Sequence, residues 1–148
     1  MQYLTRFDTL LAPDFSLYRD WPPALQLWNT YRSRWCAAFW HSEGFTVIPT
    51  VSWSTAESYA FCFDGLPERS LLAVSTVGTH KDPAARALFL AGFEALVERL
   101  SPSCVLCYGQ PHPEMAALVP LRVYPAGWTG LHRARAQVRR QRGANDGR

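Results

Sequence analysis

Lysine is almost missing from this chain. Of fifteen basic side chains fourteen are arginine, and Lys81 is the single lysine. No phosphate-cradling glycine loop ends in a lysine, and G-x-G-x-x-G, H-E-x-x-H and G-x-S-x-G are all absent. Those absences exclude the common signatures of nucleotide-cofactor, zinc-peptidase and serine-hydrolase sites. Charge is sparse as well, at 18% against 48% hydrophobic residues, which excludes a disordered polyelectrolyte. No apolar run approaches the roughly 18 residues that a membrane-crossing helix needs. The amino-terminal stretch lacks the basic start and apolar core of a secretory signal, and four cysteines without one read as reduced thiols. The expectation is a soluble cytoplasmic protein with no membrane partner.

Aromatic residues are plentiful instead, at 14% with six tryptophans. That abundance implies either a well-filled core or aromatic surface left for a partner. The 148 residues suffice for one domain. From Leu131 onward there are six arginines and one aspartate, a local charge of +5, whereas the first 130 residues hold nine basic and eleven acidic side chains, a net −2. A slightly acidic domain over 1–130 followed by an arginine-rich helical or disordered tail over 131–148 is the expected organisation.

Periodicity supplies the elements. A short strand is expected over Thr9–Leu11. Asp20-Trp21-Pro22-Pro23 reads as a helix start with Asp20 as cap, and Leu25, Trp28, Tyr31, Trp35 and Phe39 recur at helical spacing to about Ser42. That stripe reads as the core-facing side of the helix. Phe45–Trp53 is strand-like but broken by Pro49, which removes a ladder donor. Tyr59–Phe63 reads equally as helix or strand. Leu71–Val77 is the most apolar strand, Asp82-Pro83 caps a helix over Ala84–Leu100, and Cys104–Tyr108 is the next strand. A short helix over Pro113–Leu118 and a strand over Leu121–Tyr124 follow. Strand, helix and strand joined by short loops require parallel crossovers. The expected fold is α/β, an open, mostly parallel sheet of four or five strands flanked by helices in three layers, with a partial barrel as the alternative.

Several stretches taken together, APDFSLY (12–18), NTYRSRW (29–35), VIPTVSW (47–53), FCFDGLP (61–67), AVSTVG (73–78) and CYG (107–109), give the chain a specific likeness. In this order and spacing it resembles the family of the domain of unknown function 4417, over roughly Phe7 to Gly109. The arginine-rich tail falls outside the likeness. The resemblance transfers no catalytic residue; what it implies is context, an accessory protein of a phage or mobile element.

The topology nominates a site. Ligands of open parallel sheets bind beyond the carboxyl ends of the strands. Asp14, Trp53, Ser75, Thr76, Gly78 and Tyr108 are expected there, with Asp64 brought in from the turn before the central strand. Asp14, Asp64 and Tyr108 are the candidate catalytic groups, and Trp53, Ser75, Thr76 and Gly78 the candidate ligand contacts, for an enzyme acting on a nucleotide-like or sugar-containing small molecule. The plain alternatives are that Asp64 is a turn residue before Gly65 and that Ser75 and Thr76 pack at a strand end. Cys104 and Cys107 have half the spacing of a zinc site but lie on one strand with no second pair, so no metal or cofactor is expected. His41, His112 and His132 read as surface residues. The other candidate is the tail, where Arg133, Arg135, Arg139, Arg140 and Arg142 suit nucleic acid or an acidic host protein. Partner binding through that tail is the leading functional expectation, with the enzyme as the alternative.

Overall fold

The computed structural model describes residues 4–127. Among them five short strands alternate with helices: β1 (Thr9–Leu11), α1 (Pro23–Ser42), β2 (Thr46–Ile48), α2 (Tyr59–Cys62), β3 (Leu71–Ser75), α3 (Pro83–Leu100), β4 (Cys104–Tyr108), α4 (Met115–Leu118) and β5 (Leu121–Tyr124). Every strand pairing is parallel. The α/β class, the parallel pairing and the flanking helices are as expected. The strands divide, however, into a two-stranded sheet β1-β2 and a three-stranded sheet β3-β4-β5 rather than one of four or five.

Pro49 explains the division. It stops β2 after Ile48 because a proline offers no N–H to the ladder. Just beyond it the chain turns from one neighbour to the next. Ile48 O still accepts from Ala12 N at 2.9 Å, whereas Pro49 O accepts from Ala73 N and Val51 N donates to Ala73 O, each at 2.9 Å. Thr50 and Ala73 form a parallel bridge. Residues 49–51 therefore stitch the two sheets into a series that follows chain order without reversal, as the strands of a barrel wall do.

One apolar core lies between the larger sheet and α3. Leu72, Val74, Val105 and Cys107 meet Phe89, Phe93, Leu96 and Leu100, with Met115 and Val119 closing one end and Val51, Cys62 and Phe63 the other. Asp82 caps α3 as the sequence implies, its side chain accepting from Ala84 N at 2.9 Å. Asp20 does not cap α1. Pro22 occupies that position without a side-chain bond, because the two residues an Asp20 cap would accept from, Pro22 and Pro23, have no N–H. Tyr59–Phe63 is helical, a single turn continuing a 3₁₀ turn over Ala56–Ser58.

The largest departure is the orientation of α1. Its limits are close to those expected, but its aromatic stripe faces outward and its polar residues face inward. Gln26, Asn29, Thr30 and Ser33 are buried while Leu25, Trp28, Tyr31, Trp35 and Phe39 are exposed. The cause is what lies beneath. The irregular segment 13–21 passes under the helix with carbonyls that no sheet satisfies, and an unpaired buried carbonyl is costly. Ser33 Oγ donates to Pro13 O at 2.9 Å, Asn29 Nδ2 to Ser16 O at 2.8 Å and Gln26 Nε2 to Trp21 O at 2.9 Å. The inner face of α1 is a polar rack for that segment, so the apolar face is left outside.

Candidate functional site

Three successive strand-to-helix loops meet at the carboxyl ends of β1, β2 and β3 and enclose a cleft of about 390 Å³. The loop after β1 supplies Asp14, Ser16, Tyr18 and Arg19. Ser52 and Trp53 come from the segment after β2, and Ser75, Gly78, Thr79 and Asp82 from the end of β3 and its loop. Phe89 closes the apolar side from α3. The polar rack on α1 holds the first loop, so that helix shapes the cleft without touching it.

The polar groups are partly paired. Asp14 accepts a hydrogen bond from Ser52 Oγ. Asp82 divides its carboxylate between the α3 cap and Arg19, whose Nη2 lies 3.6 Å away in an exposed ion pair. Ser75 Oγ accepts from Val77 N at 3.3 Å. Trp53 continues that apolar wall, tilted against Phe89 at 5.1 Å between centroids and edge-on to Phe63 at 6.1 Å, with Nε1 donating to Leu88 O at 3.3 Å. The indole lies so close over α3 that a Cβ on Gly92 would fall 2.1 Å from Nε1. Only glycine there admits this wall.

The expected site residues are placed unequally. Asp14, Trp53, Ser75 and Gly78 line the one cleft. Thr76 is fully buried, and its hydroxyl donates to Gln110 O at 2.8 Å, clamping the loop after β3 to the loop after β4. Gly109, at φ +110°, makes this possible, since a Cβ there would meet Thr76 Oγ1 at 2.5 Å. Tyr108 is outside the cleft lining, with its hydroxyl accepting from Gly127 N at 2.9 Å. Asp64 lies ahead of β3, toward the amino ends of the strands, paired with Arg99 and with its carbonyl accepting from Arg34 Nε at 3.1 Å. Arg133, Arg135, Arg139, Arg140 and Arg142 lie outside the described residues.

Sequence reasoning passed over Ser52, Arg19, Tyr18 and Phe89 as lining residues. The usable signal was the small polar pair Asn29 and Ser33, four apart on α1, which marks a helix face meeting backbone rather than core. His112 also differs from expectation. It is buried, 2% exposed, not at the surface. Its Nε2 lies 2.8 Å from Thr79 Oγ1 and its ring stacks on His80 at 4.1 Å. Burial, and then the nearby His80 and Arg86 charges, hold its pKa below the ordinary 6.5, with Glu114 opposing. Burial likewise pushes the Cys107 thiol up and Cys62 up to about 11. These are neutral packing thiols rather than nucleophiles.

What the cleft can hold follows from its charges. Among the described residues two carboxylates face one guanidinium there, which disfavours a phosphate, and Asp82 already occupies the positive end of α3. Hydrogen-bond acceptors beside an aromatic wall suit a neutral ligand carrying hydroxyls or amines on a ring. No helix among the described residues is long and apolar enough to cross a membrane.

Comparison with known proteins places the chain in a setting. The model of a family described as Domain of unknown function (DUF4417) matches residues 1–124. The chain is 46% identical over 119 residues to a Gene 1 protein of Mycobacterium phage L5, covering 80% of this chain and 52% of the relative. It is 43% identical over 129 residues to a Gene 1 protein of Mycobacterium phage D29, covering 86% of this chain and 47% of the relative. It thus spans about half the length of these curated relatives. No solved structure matches.

Proposed function

Since the chain belongs to the DUF4417 family, we propose that it is a phage accessory protein that works by binding, and that its cleft takes a small neutral ring compound rich in hydroxyls, of the nucleoside or sugar class. The phage setting rests on the two Gene 1 proteins that resemble it. The convergence of three successive loops carries the ligand reading, because it sets the Asp14 carboxylate in the same cleft as the Trp53 indole. Asp14 accepts hydrogen bonds from the ligand's hydroxyls, Trp53 and Phe89 receive its ring face, and Ser75 lines the same cleft.

Calorimetric titration with a panel of nucleosides and monosaccharides tests this. One member of the panel should bind saturably, and Asp14→Asn should weaken it at least about tenfold, the loss of one hydrogen bond to a charged acceptor, with the melting temperature unchanged. Gly92→Ala, which displaces the indole, should abolish binding. If no compound binds, or Asp14→Asn binds as well as the parent chain, the ligand reading fails. A second reading is favoured by the segregation of charge. A net −2 over the first 130 residues followed by +5 from Leu131 onward suits a polyanionic partner held by the arginines.

A further inference from the structure

The outer face of α1 is an apolar surface of regular spacing that no other element packs against among the described residues. Ala24, Trp28, Tyr31, Trp35, Ala38 and Ser42 are all exposed, and their spacing alternates four and three residues, the seam of a two-helix coil. Trp28, Tyr31 and Trp35 remain 53%, 55% and 55% exposed. Their rings are already ordered along the helix: Trp28 stacks on Tyr31, and Trp35 stacks on Phe39 with planes 5° apart. The seam carries no charge. The helix's two arginines are drawn off it, Arg32 over the Phe15 ring at 4.0 Å and Arg34 onto the carbonyls of Thr50, Cys62 and Asp64.

We infer that this face is a dimer interface, on which α1 of a second copy of this chain packs antiparallel about a twofold axis at the height of residue 33 along the helix. The order of side-chain sizes carries the inference. Turning the helix end for end about residue 33 sets Ala24 against Ser42, Trp28 against Ala38 and Tyr31 against Trp35. Each bulky ring thus meets a small residue or another aromatic ring, and each first position of the seam meets the other kind, as an antiparallel pair requires. An isologous contact must be complementary to itself in this way.

The area reaches the lower end of the range that specific interfaces bury. An aromatic side chain buries roughly 150–250 Å². With about half of that open at each ring, the seam and its flanking Leu25, Leu27 and Phe39 offer on the order of 600 Å² per copy, against roughly 800 Å² per partner in a standard interface. The absence of charge argues against a nucleic acid on this face, because phosphate contacts dominate such binding. This interface is independent of the cleft, which opens on other residues.

Sedimentation velocity from low to high micromolar concentration is the test. The chain should shift toward about twice its 16.7 kDa mass. Trp35→Glu should weaken association at least about thirtyfold, as loss of a central aromatic anchor does. Circular dichroism should show the helix content unchanged, because the side chain is exposed. The register has its own check. Trp28→Ala leaves a hole and Ala38→Trp sets two indoles against each other, so each alone should dissociate the pair, while the double variant exchanges the two sizes and should restore it. A monomer at every concentration overturns the inference, whether residues 128–148 or an unrelated protein then cover the face. So does a dimer indifferent to Trp35→Glu, or a double variant no tighter than its parents.

Discussion

A buried imidazole that resists protonation makes a protein sensitive to acid above the carboxylate range. His112 is such a ring, held beside Thr79 and against His80. Its pKa is depressed by burial first and by neighbouring positive charge second. The unfolded chain protonates this histidine near 6.5 while the folded chain resists, so the unfolded state holds more protons below that pH and stability falls as pH falls. Urea unfolding of the parent chain should therefore show a midpoint declining between about pH 7 and 5, above the range where carboxylates titrate. His112→Gln should flatten that decline, and a slope unchanged by the substitution would show that His112 is not its source. Histidines seldom announce such a position. The sequence around His112 is a proline loop, and its hydrogen-bond partner, Thr79, is 33 residues away. Asp82 was legible for the opposite reason, since a cap bond spans two residues and depends on little else.

Helix limits and strand limits were largely readable, because prolines, glycines and periodicity act locally. The orientation of α1 was not. A periodic stripe reports that a helix has two unlike faces, and the habit of placing the apolar one inside assumes an apolar neighbour. Here the neighbour is a loop of exposed carbonyls, and that demand reverses the helix. Arg34 fastens the arrangement. Its guanidinium reaches Cys62 O at 2.7 Å, Asp64 O at 3.1 Å and Thr50 O at 3.3 Å, tying α1 to the end of β2 and to α2. Burial lowers its pKa, against the opposing charges of Cys62 and Asp64, while the carbonyl bonds favour the charged form. Arg34→Met should remove three bonds to one charged donor and strand the carbonyls, a loss on the order of 2–4 kcal/mol. Arg34→Lys should recover only part of it, since an ammonium cannot span three acceptors with a planar fork. Denaturant titration of the two variants is the measurement, and equal stability of the parent and Arg34→Met would refute the fastening role.

At the scale of the molecule, parallel topology explains which site residues could be read. A rule about strand ends reaches Asp14, Trp53, Ser75 and Gly78 because each lies within a few residues of a carboxyl end. It fails for Asp64, which precedes its strand, and for Tyr108, whose hydroxyl is engaged by Gly127. Charge, by contrast, is readable without any coordinates. The arginines from 133 to 142 follow a stretch of net −2, and on the polyanion reading proposed above they are the contact. Binding to duplex DNA should then weaken linearly on a double-logarithmic salt plot. Five phosphate contacts give a slope near about −4.5, from roughly −0.9 per contact. An α1-linked pair would bring two such segments to one duplex and steepen the slope toward twice that value. Deleting Gly130–Arg148 should remove the salt dependence and the binding together, while leaving the cleft and the α1 seam as they are. If the truncated chain binds DNA with an unchanged slope, the arginines are not the contact and the polyanion must lie on the domain itself.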